Sequence, residues 1–192
     1  MGLDPFRTVR LAHPLFPNRL VQGCCGQLFG TSGFWGPKTG PNPTDRAKLG
    51  SKRHLICDAR GVPLVIHLTG ANRNDSQEAL ALVDAVPALQ VERVRPRHRP
   101  DCVLGDRGYD AEAIRQGLRV RGIRPWLAKR NTTHGSGLGR YRWVVERTFA
   151  WLNQFRRLRV RYEKRADIHE AFLSLGCSLI CWHFLRSVWM SS

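Results

Sequence analysis

Regular apolar patterning begins abruptly at Gly36, and nothing before that residue shares it. Between Met1 and Phe34 the residues Gly2, Pro5, Pro14, Pro17, Gly23, Gly26, Gly30 and Gly33 break every stretch before a period can establish itself. The same segment holds no Lys and no Glu, and its only charges are Asp4, Arg7, Arg10 and Arg19. It predicts no long helix or strand. Glycine weakens strand interiors, and without alternation no register is fixed. Only short apolar pieces, such as Leu20–Val21 or Leu28–Phe29, are expected to pair, in a segment otherwise expected to be poorly ordered.

From Gly36 the chain reads as alternating elements. Gly36–Gly50 is a polar loop rich in Gly and Pro. His54–Cys57 and Pro63–Thr69 are two strands joined by the turn Asp58-Ala59-Arg60-Gly61, a hairpin. Ser76–Val86 carries a helical stripe at Ala79, Leu80, Leu82, Val83 and Val86, with Asp75 as expected N-cap. Val91–Pro100 is a basic loop, and Cys102–Gly105 a short apolar strand ending at Asp106. Asp110 is expected to cap a helix that runs to about Val120 and stops at Gly122, and Ile123–Ala128 is a further strand. After the loop Lys129–Arg140, helical spacing returns in Tyr141–Phe155 and in an apolar last helix, Ile168–Val188, expected to close the core. That order predicts an α/β fold with a mixed sheet.

Charge narrows the function. The 192 residues carry 31 Lys and Arg against 15 Asp and Glu, a net +16 with a pI near 10.9. Such a surface favours a polyanionic partner. Nucleic acid is favoured over a membrane, because the longest apolar stretch, Ala171–Leu185, is broken by Ser174, Gly176, Ser178 and His183. The N-terminus lacks the pattern of a signal peptide, so a cytoplasmic setting with six reduced cysteines is expected. A zinc module is disfavoured: there is no C-x-x-C, and Cys177, Cys181 and His183 form only a weak metal pattern.

Three features could carry chemistry. Asp106, in Leu104-Gly105-Asp106-Arg107-Gly108-Tyr109-Asp110, ends a buried strand where α/β proteins keep ligands, although a turn aspartate bonding backbone N–H groups has the same signature. Glu146 lies among apolar helix positions. It either pairs with Arg142 four residues earlier or joins Asp106 in holding Mg²⁺, a hard cation that activates water for attack on phosphate. The third feature is the basic run Arg156, Arg157, Arg159, Arg161, Lys164 and Arg165, interleaved with Phe155 and Tyr162. It contains only Glu163 as counter-charge, and phosphate contact is weighed there against a solvated face.

In order along the chain stand Gly36-Pro37-Lys38-Thr39-Gly40-Pro41-Asn42-Pro43-Thr44-Asp45-Arg46, Gly50-Ser51-Lys52-Arg53-His54, Leu68-Thr69-Gly70-Ala71-Asn72-Arg73-Asn74-Asp75, Asp106-Arg107-Gly108-Tyr109-Asp110, the Glu146 block and Arg159-Val160-Arg161-Tyr162-Glu163. Together they resemble the DDE transposases of short bacterial insertion sequences, over about Gly36–Leu185. The resemblance implies an RNase-H-like mixed sheet flanked by helices. It also implies DNA strand cleavage and transfer by three carboxylates holding two Mg²⁺ or Mn²⁺ ions. Asp106 matches the second Asp and Glu146 the Glu, so both are the expected catalytic and metal-binding residues. Arg142 matches the family's Arg. The family's Tyr position holds Gly139, with Tyr141 two residues away, and its basic position holds Asn153. Lys52, Arg53, Arg142, Arg156, Arg157, Arg159, Arg161, Lys164 and Arg165 are the expected DNA contacts. The expected partners are the element's terminal inverted repeats, target DNA and further copies of the chain, with no membrane.

The first carboxylate is missing. The family carries it upstream of Gly36 in a segment like Val-Asp-Ser-Ser-Ser-Val-Arg; Asp4 and Asp45 are unconvincing substitutes. The genetic code suggests why. Cys24–Thr31 can be written with codons that, read one nucleotide later, encode Ala-Val-Asp-Ser-Ser-Ser-Val-Arg, the Asp codon straddling Gly26 and Gln27. Leu20–Gly23 likewise permits Trp-Ser-Arg-Ala, and Trp35-Gly36 requires a run of G nucleotides where slippage or an indel is plausible. Residues 1–35 are therefore expected to be out-of-frame translation joined to a catalytic-domain part, residues 36–189, with its first strand missing or degraded. A chain so truncated is expected to be inactive alone. The alternative is a non-catalytic basic DNA-binding protein that regulates the full-length transposase.

Overall fold

The computed structural model describes residues 28–31, 35–87, 99–131 and 139–190. Its first strand, β1 (Leu28–Thr31), pairs antiparallel with Gly50–Arg53 of β3, and the two-residue β2 (Gly40–Pro41) pairs with the beginning of β3 (Leu49–Cys57). The hairpin expected from sequence is present: β3 turns back into β4 (Pro63–Gly70) with Ser51 opposite Gly70 and Ile56 opposite Val65. Asp58 makes the turn by accepting hydrogen bonds from the backbone N–H groups of Arg60 and Val62, both at 2.8 Å. Gly61 takes the left-handed conformation there (φ 88°).

A 3₁₀ turn (Asp75–Gln77) and a short α1 (Ala79–Asp84) follow. The expected Ser76–Val86 helix is thus shorter, and its cap is displaced. Asn74 accepts the Ser76 N–H at 3.1 Å, while Asp75 is buried against Lys52. Next come β5 (Cys102–Gly105), a 3₁₀ turn (Arg107–Tyr109), α2 (Glu112–Val120) and β6 (Arg124–Leu127), a parallel pair of strands linked by a helix. Gly122 ends α2 with φ 72°, as expected. Asp110 does not cap α2, because its carboxylate is taken by Arg115 and by the Arg130 backbone. The chain closes with α3 (Gly139–Gln154), the one-turn α4 (Arg156–Arg159) and α5 (Ala166–Trp189).

Strand β3 is covered on both sides, which is why eight of its nine residues are buried. Alternate side chains point to opposite faces of a strand. Leu55 and Cys57 join Leu68, Leu104, Val145, Leu152 and Leu173 beneath α3 and α5. Ile56 points the other way, to Leu82, Val103, Ile114 and Leu118 beneath α1 and α2. The result is the expected mixed α/β arrangement, a sheet flanked by helices. The first strand survives as four residues. Among the described residues no ladder joins the four-stranded sheet to the β5–β6 pair, so the two meet through side chains.

The last helix differs from expectation. Leu173 and Ile180 are buried, but Leu175, Trp182, Leu185 and Trp189 are exposed. Ala166–Ser187 is long and apolar enough to cross a membrane by length and composition, contrary to the reading of its polar interruptions, although one side of it packs on β4, α3 and α4. Cys57 and Cys102 are buried thiols, and burial pushes the Cys177 thiol up to about 12. Cys24 and Cys25 lie outside the described residues.

Candidate active site

Asp106 stands where β5 ends. Its Oδ1 accepts the Gly108 N–H at 2.8 Å, so the turn-aspartate signature is real, and the half-buried carboxylate is thereby oriented. The turn is pinned from three sides. Arg130 donates to the carbonyls of Arg107 (2.8 Å) and Gly108 (3.2 Å). Asp110 accepts from Arg115 and from the Arg130 backbone N–H, both at 2.6 Å, and these bonds hold its carboxyl below the usual carboxylate range. A Cβ at Gly105 would lie 2.6 Å from Leu127 Cδ2, so a side chain there would require Leu127 to shift.

The third pin runs through Tyr109, whose buried hydroxyl lies 3.3 Å from His54 Nδ1. His54 Nε2 lies 2.8 Å from Thr69 Oγ1, and Lys52 pairs with Asp75 at 3.0 Å while donating to the Arg73 carbonyl at 2.7 Å. Lys52, His54 and Ile56 share one face of β3, so this polar network continues the core toward the Asp106 turn. Sequence reading missed it. The available signal was a lysine and a histidine two apart on a strand covered on both sides, where each must find a partner.

Burial, then the positive charges of Lys52, His67 and Arg73, lower the His54 pKa to about 3. Below pH 6.5 the unfolded chain takes up a proton at this position that the folded chain refuses until about pH 3. The stabilisation is therefore complete above pH 6.5 and is lost as pH falls through that window. Urea titrations should show a steeper loss for the parent chain than for His54→Gln between pH 6.5 and 4. Equal slopes would remove His54 as the cause.

Glu146 lies on the exposed side of α3, while Val144, Val145, Thr148, Phe149 and Leu152 face inward. Thr148 donates to the Gly61 carbonyl at 2.9 Å, which docks α3 on the hairpin turn. Arg147 lies over the rings of Trp143 (4.4 Å) and Trp151 (4.8 Å). The sheet therefore supports both candidate carboxylates, Asp106 through Tyr109 and His54, Glu146 through α3. Among the described residues, no three His, Cys, Asp or Glu side chains gather as a metal site.

Three expected DNA contacts are corrected. Lys52 and Arg53 are 5% and 1% exposed. Lys52 neutralises Asp75. Arg53 points to the opposite face and donates to Asn153 at 3.2 Å. Burial lowers the Arg53 pKa to about 10. Arg161 is 2% exposed and makes six hydrogen bonds: to the carbonyls of Pro37, Lys38, Glu163 and Lys164 and to the hydroxyls of Thr39 and Ser51. It ties the Gly36–Gly40 loop to β3. Arg156, Arg159, Lys164 and Arg165 are exposed, Arg165 pairing at the surface with Asp167. Arg157 is exposed too, but pairs with the half-buried Glu163 at 2.8 Å. The Arg142 side chain lies outside what the structure describes.

Known proteins carry related sequences. Residues 21–181 match the family model for the transposase DDE domain. The chain is 63% identical over 179 residues to a protein named as the inferred transposase for insertion sequence element IS402 of Burkholderia cepacia, covering 93% of this chain and 85% of that one. A second relative, named likewise for element IS6501 of Brucella ovis, is 26% identical over 136 residues, covering 68% of this chain and 96% of that one. Among solved structures, a chain of the simian T-cell lymphotropic virus intasome in complex with PP2A regulatory subunit B56 gamma aligns over 87% of this chain and 49% of its own, with 14% identity and a TM-score of 0.41. The family match and the 63% identity settle the assignment: this chain belongs to the DDE transposases of insertion sequences.

Proposed function

We propose that the chain is the catalytic-domain part of an insertion-sequence transposase that binds DNA, retains Asp106 and Glu146, and lacks the first metal-binding aspartate. The observation that carries this reading is the Asp106 turn. A carboxylate at the end of a buried parallel strand starts a turn whose following residues are held by Arg130, Arg115 and the buried Tyr109, which is stricter than a surface turn requires. Asp106 and Glu146 supply the hard oxygen donors that Mg²⁺ or Mn²⁺ prefers. The described donors nevertheless fall short of the family's three carboxylates. That shortfall supports a chain unable to cut DNA alone.

The alignment to the IS402 protein is longer than Gly36–Ser192, and the family match begins at residue 21. Part of residues 1–35 is therefore shared with a relative, so the frame reading requires the same change of frame in that relative. The retained basic surface also favours a second reading, in which the chain competes with intact transposase for element ends. The two readings differ in whether the chain ever nicks DNA.

The exposed cations give a quantitative test of DNA binding. Removing one phosphate-binding cation should flatten the dependence of log K on log salt by about 0.9. Arg156→Gln with Arg159→Gln should therefore reduce the slope by about 1.8 in fluorescence-anisotropy titrations on duplex DNA. An unchanged slope would leave α4 an ordinary solvated face.

A further inference from the structure

The exposed side of α5 carries few charges on a strongly basic chain. Between Ala166 and Trp189 the sequence holds one Arg, one Asp and one Glu, in a protein with a net charge of +16. Its exposed apolar residues, Ile168, Leu175, Leu179, Trp182, Leu185 and Trp189, follow one another in steps of seven, three or four. They form one stripe opposite the buried Leu173 and Ile180. The stripe runs the length of a helix about 36 Å long. Exposures of 62% at Trp182 and 83% at Trp189 show how little of the chain covers it. The six side chains together present roughly 800 Å² of apolar surface, what one partner contributes to a standard interface.

We propose that this face binds the same face of a second copy, with the two α5 helices antiparallel about a twofold axis near Ser178 and Leu179. Two copies of this chain repel one another over most of their basic surface and can approach closely where charge is sparse. The few charges present also select the orientation. The first turn carries Asp167 and the last turn Arg186. Antiparallel pairing brings Asp167 of each copy toward Arg186 of the other and sets Leu175 against Trp182. Parallel pairing would place Arg186 against Arg186. The groove beside the stripe, between Pro63–Ile66 of β4 and Ser174–Leu185 of α5, has a volume of about 440 Å³, and a partner's apolar side chain can enter it. Nothing in this pairing depends on the catalytic reading.

Sedimentation velocity on the nuclease-treated full chain tests it, at about 50 µM protein and in molar salt that suppresses bridging by nucleic acid. The expected species has twice the mass of the 21.8 kDa chain. Leu175→Glu with Trp182→Glu should weaken association at least 30-fold or so, the loss typical of central interface anchors. Far-UV circular dichroism should not change, because both side chains are exposed on one copy, and the unfolding midpoint should match the parent's at concentrations where the parent is monomeric. Repeated at about 0.15 M salt, where screening is weaker, Asp167→Arg and Arg186→Asp should each weaken the dimer, and the two together should restore it. A monomeric parent chain would overturn the proposal, as would a dimer indifferent to the glutamates. A monomer that binds phosphatidylcholine vesicles would assign the face to lipid instead. A monomer whose tryptophans resist acrylamide quenching would assign it to another part of its own chain.

Discussion

Arg161→Ala should lower the unfolding free energy by about 3–5 kcal/mol, the range reserved for loss of a buried charged network. The guanidinium has five N–H donors, and its six hydrogen bonds use both terminal nitrogens and Nε. Truncation would remove a donor from four carbonyls and two hydroxyls, of which the Lys38 carbonyl keeps the Ser51 hydroxyl at 2.7 Å, and open a void under the Gly36–Gly40 loop. Arg161→Lys should recover little, because an ammonium cannot span acceptors on three separate segments. Arg156→Gln and Arg159→Gln, a few residues away and exposed, should stay within about 0.5 kcal/mol of the parent. Urea denaturation of the four variants separates the two roles. Equal effects at Arg161 and Arg159 would mean that the burial of Arg161 does not govern stability.

This contrast shows where sequence reading reaches its limit. Arg156 to Arg165 is one basic run in the sequence, yet the fold splits it. Residues 156–159 form an exposed helical turn, after which Val160 is extended and Arg161 is carried inward. Nothing in one dimension marks that change of direction. Lys52 and Arg53 fail for a related reason. In sequence they form a basic pair suited to a surface, but consecutive residues on a strand covered from both sides each enter a different core. What was legible depended on local chemistry: the Asp58–Gly61 turn, the strand before Asp106 and the glycine stop at Gly122 all stand where periodicity and turn residues put them. The capping residue is Asn74, at the 3₁₀ turn before α1, and not Asp75, because both residues can cap and only the fold shows that Asp75 is claimed by Lys52 of β3. Asp106 and Glu146 were readable as residue types in a known order. The arginine, tyrosine and histidine contacts that hold the Asp106 turn were not, because they join segments as much as 55 residues apart.

The second large effect concerns cleavage. A chain read in the alternative frame upstream of Gly36 should gain an aspartate beside β3 and, with it, divalent-metal-dependent strand cleavage. Within that restored chain, Asp106→Asn and Glu146→Gln should each reduce the rate by about 10³-fold or more, because carboxylates that act as a unit fail together. Their binding to element-end DNA should persist, since it rests on exposed cations elsewhere.

The most direct measurement compares the native and frame-restored chains on a plasmid carrying the element with its flanking DNA, in millimolar Mg²⁺ or Mn²⁺. The account predicts strand breaks at the element ends with the restored chain, loss of those breaks in its Asp106→Asn and Glu146→Gln variants, and no breaks with the native chain. Breaks at the same positions with the native chain would contradict it, and would require another carboxylate, Asp45 the first to test, to complete the site.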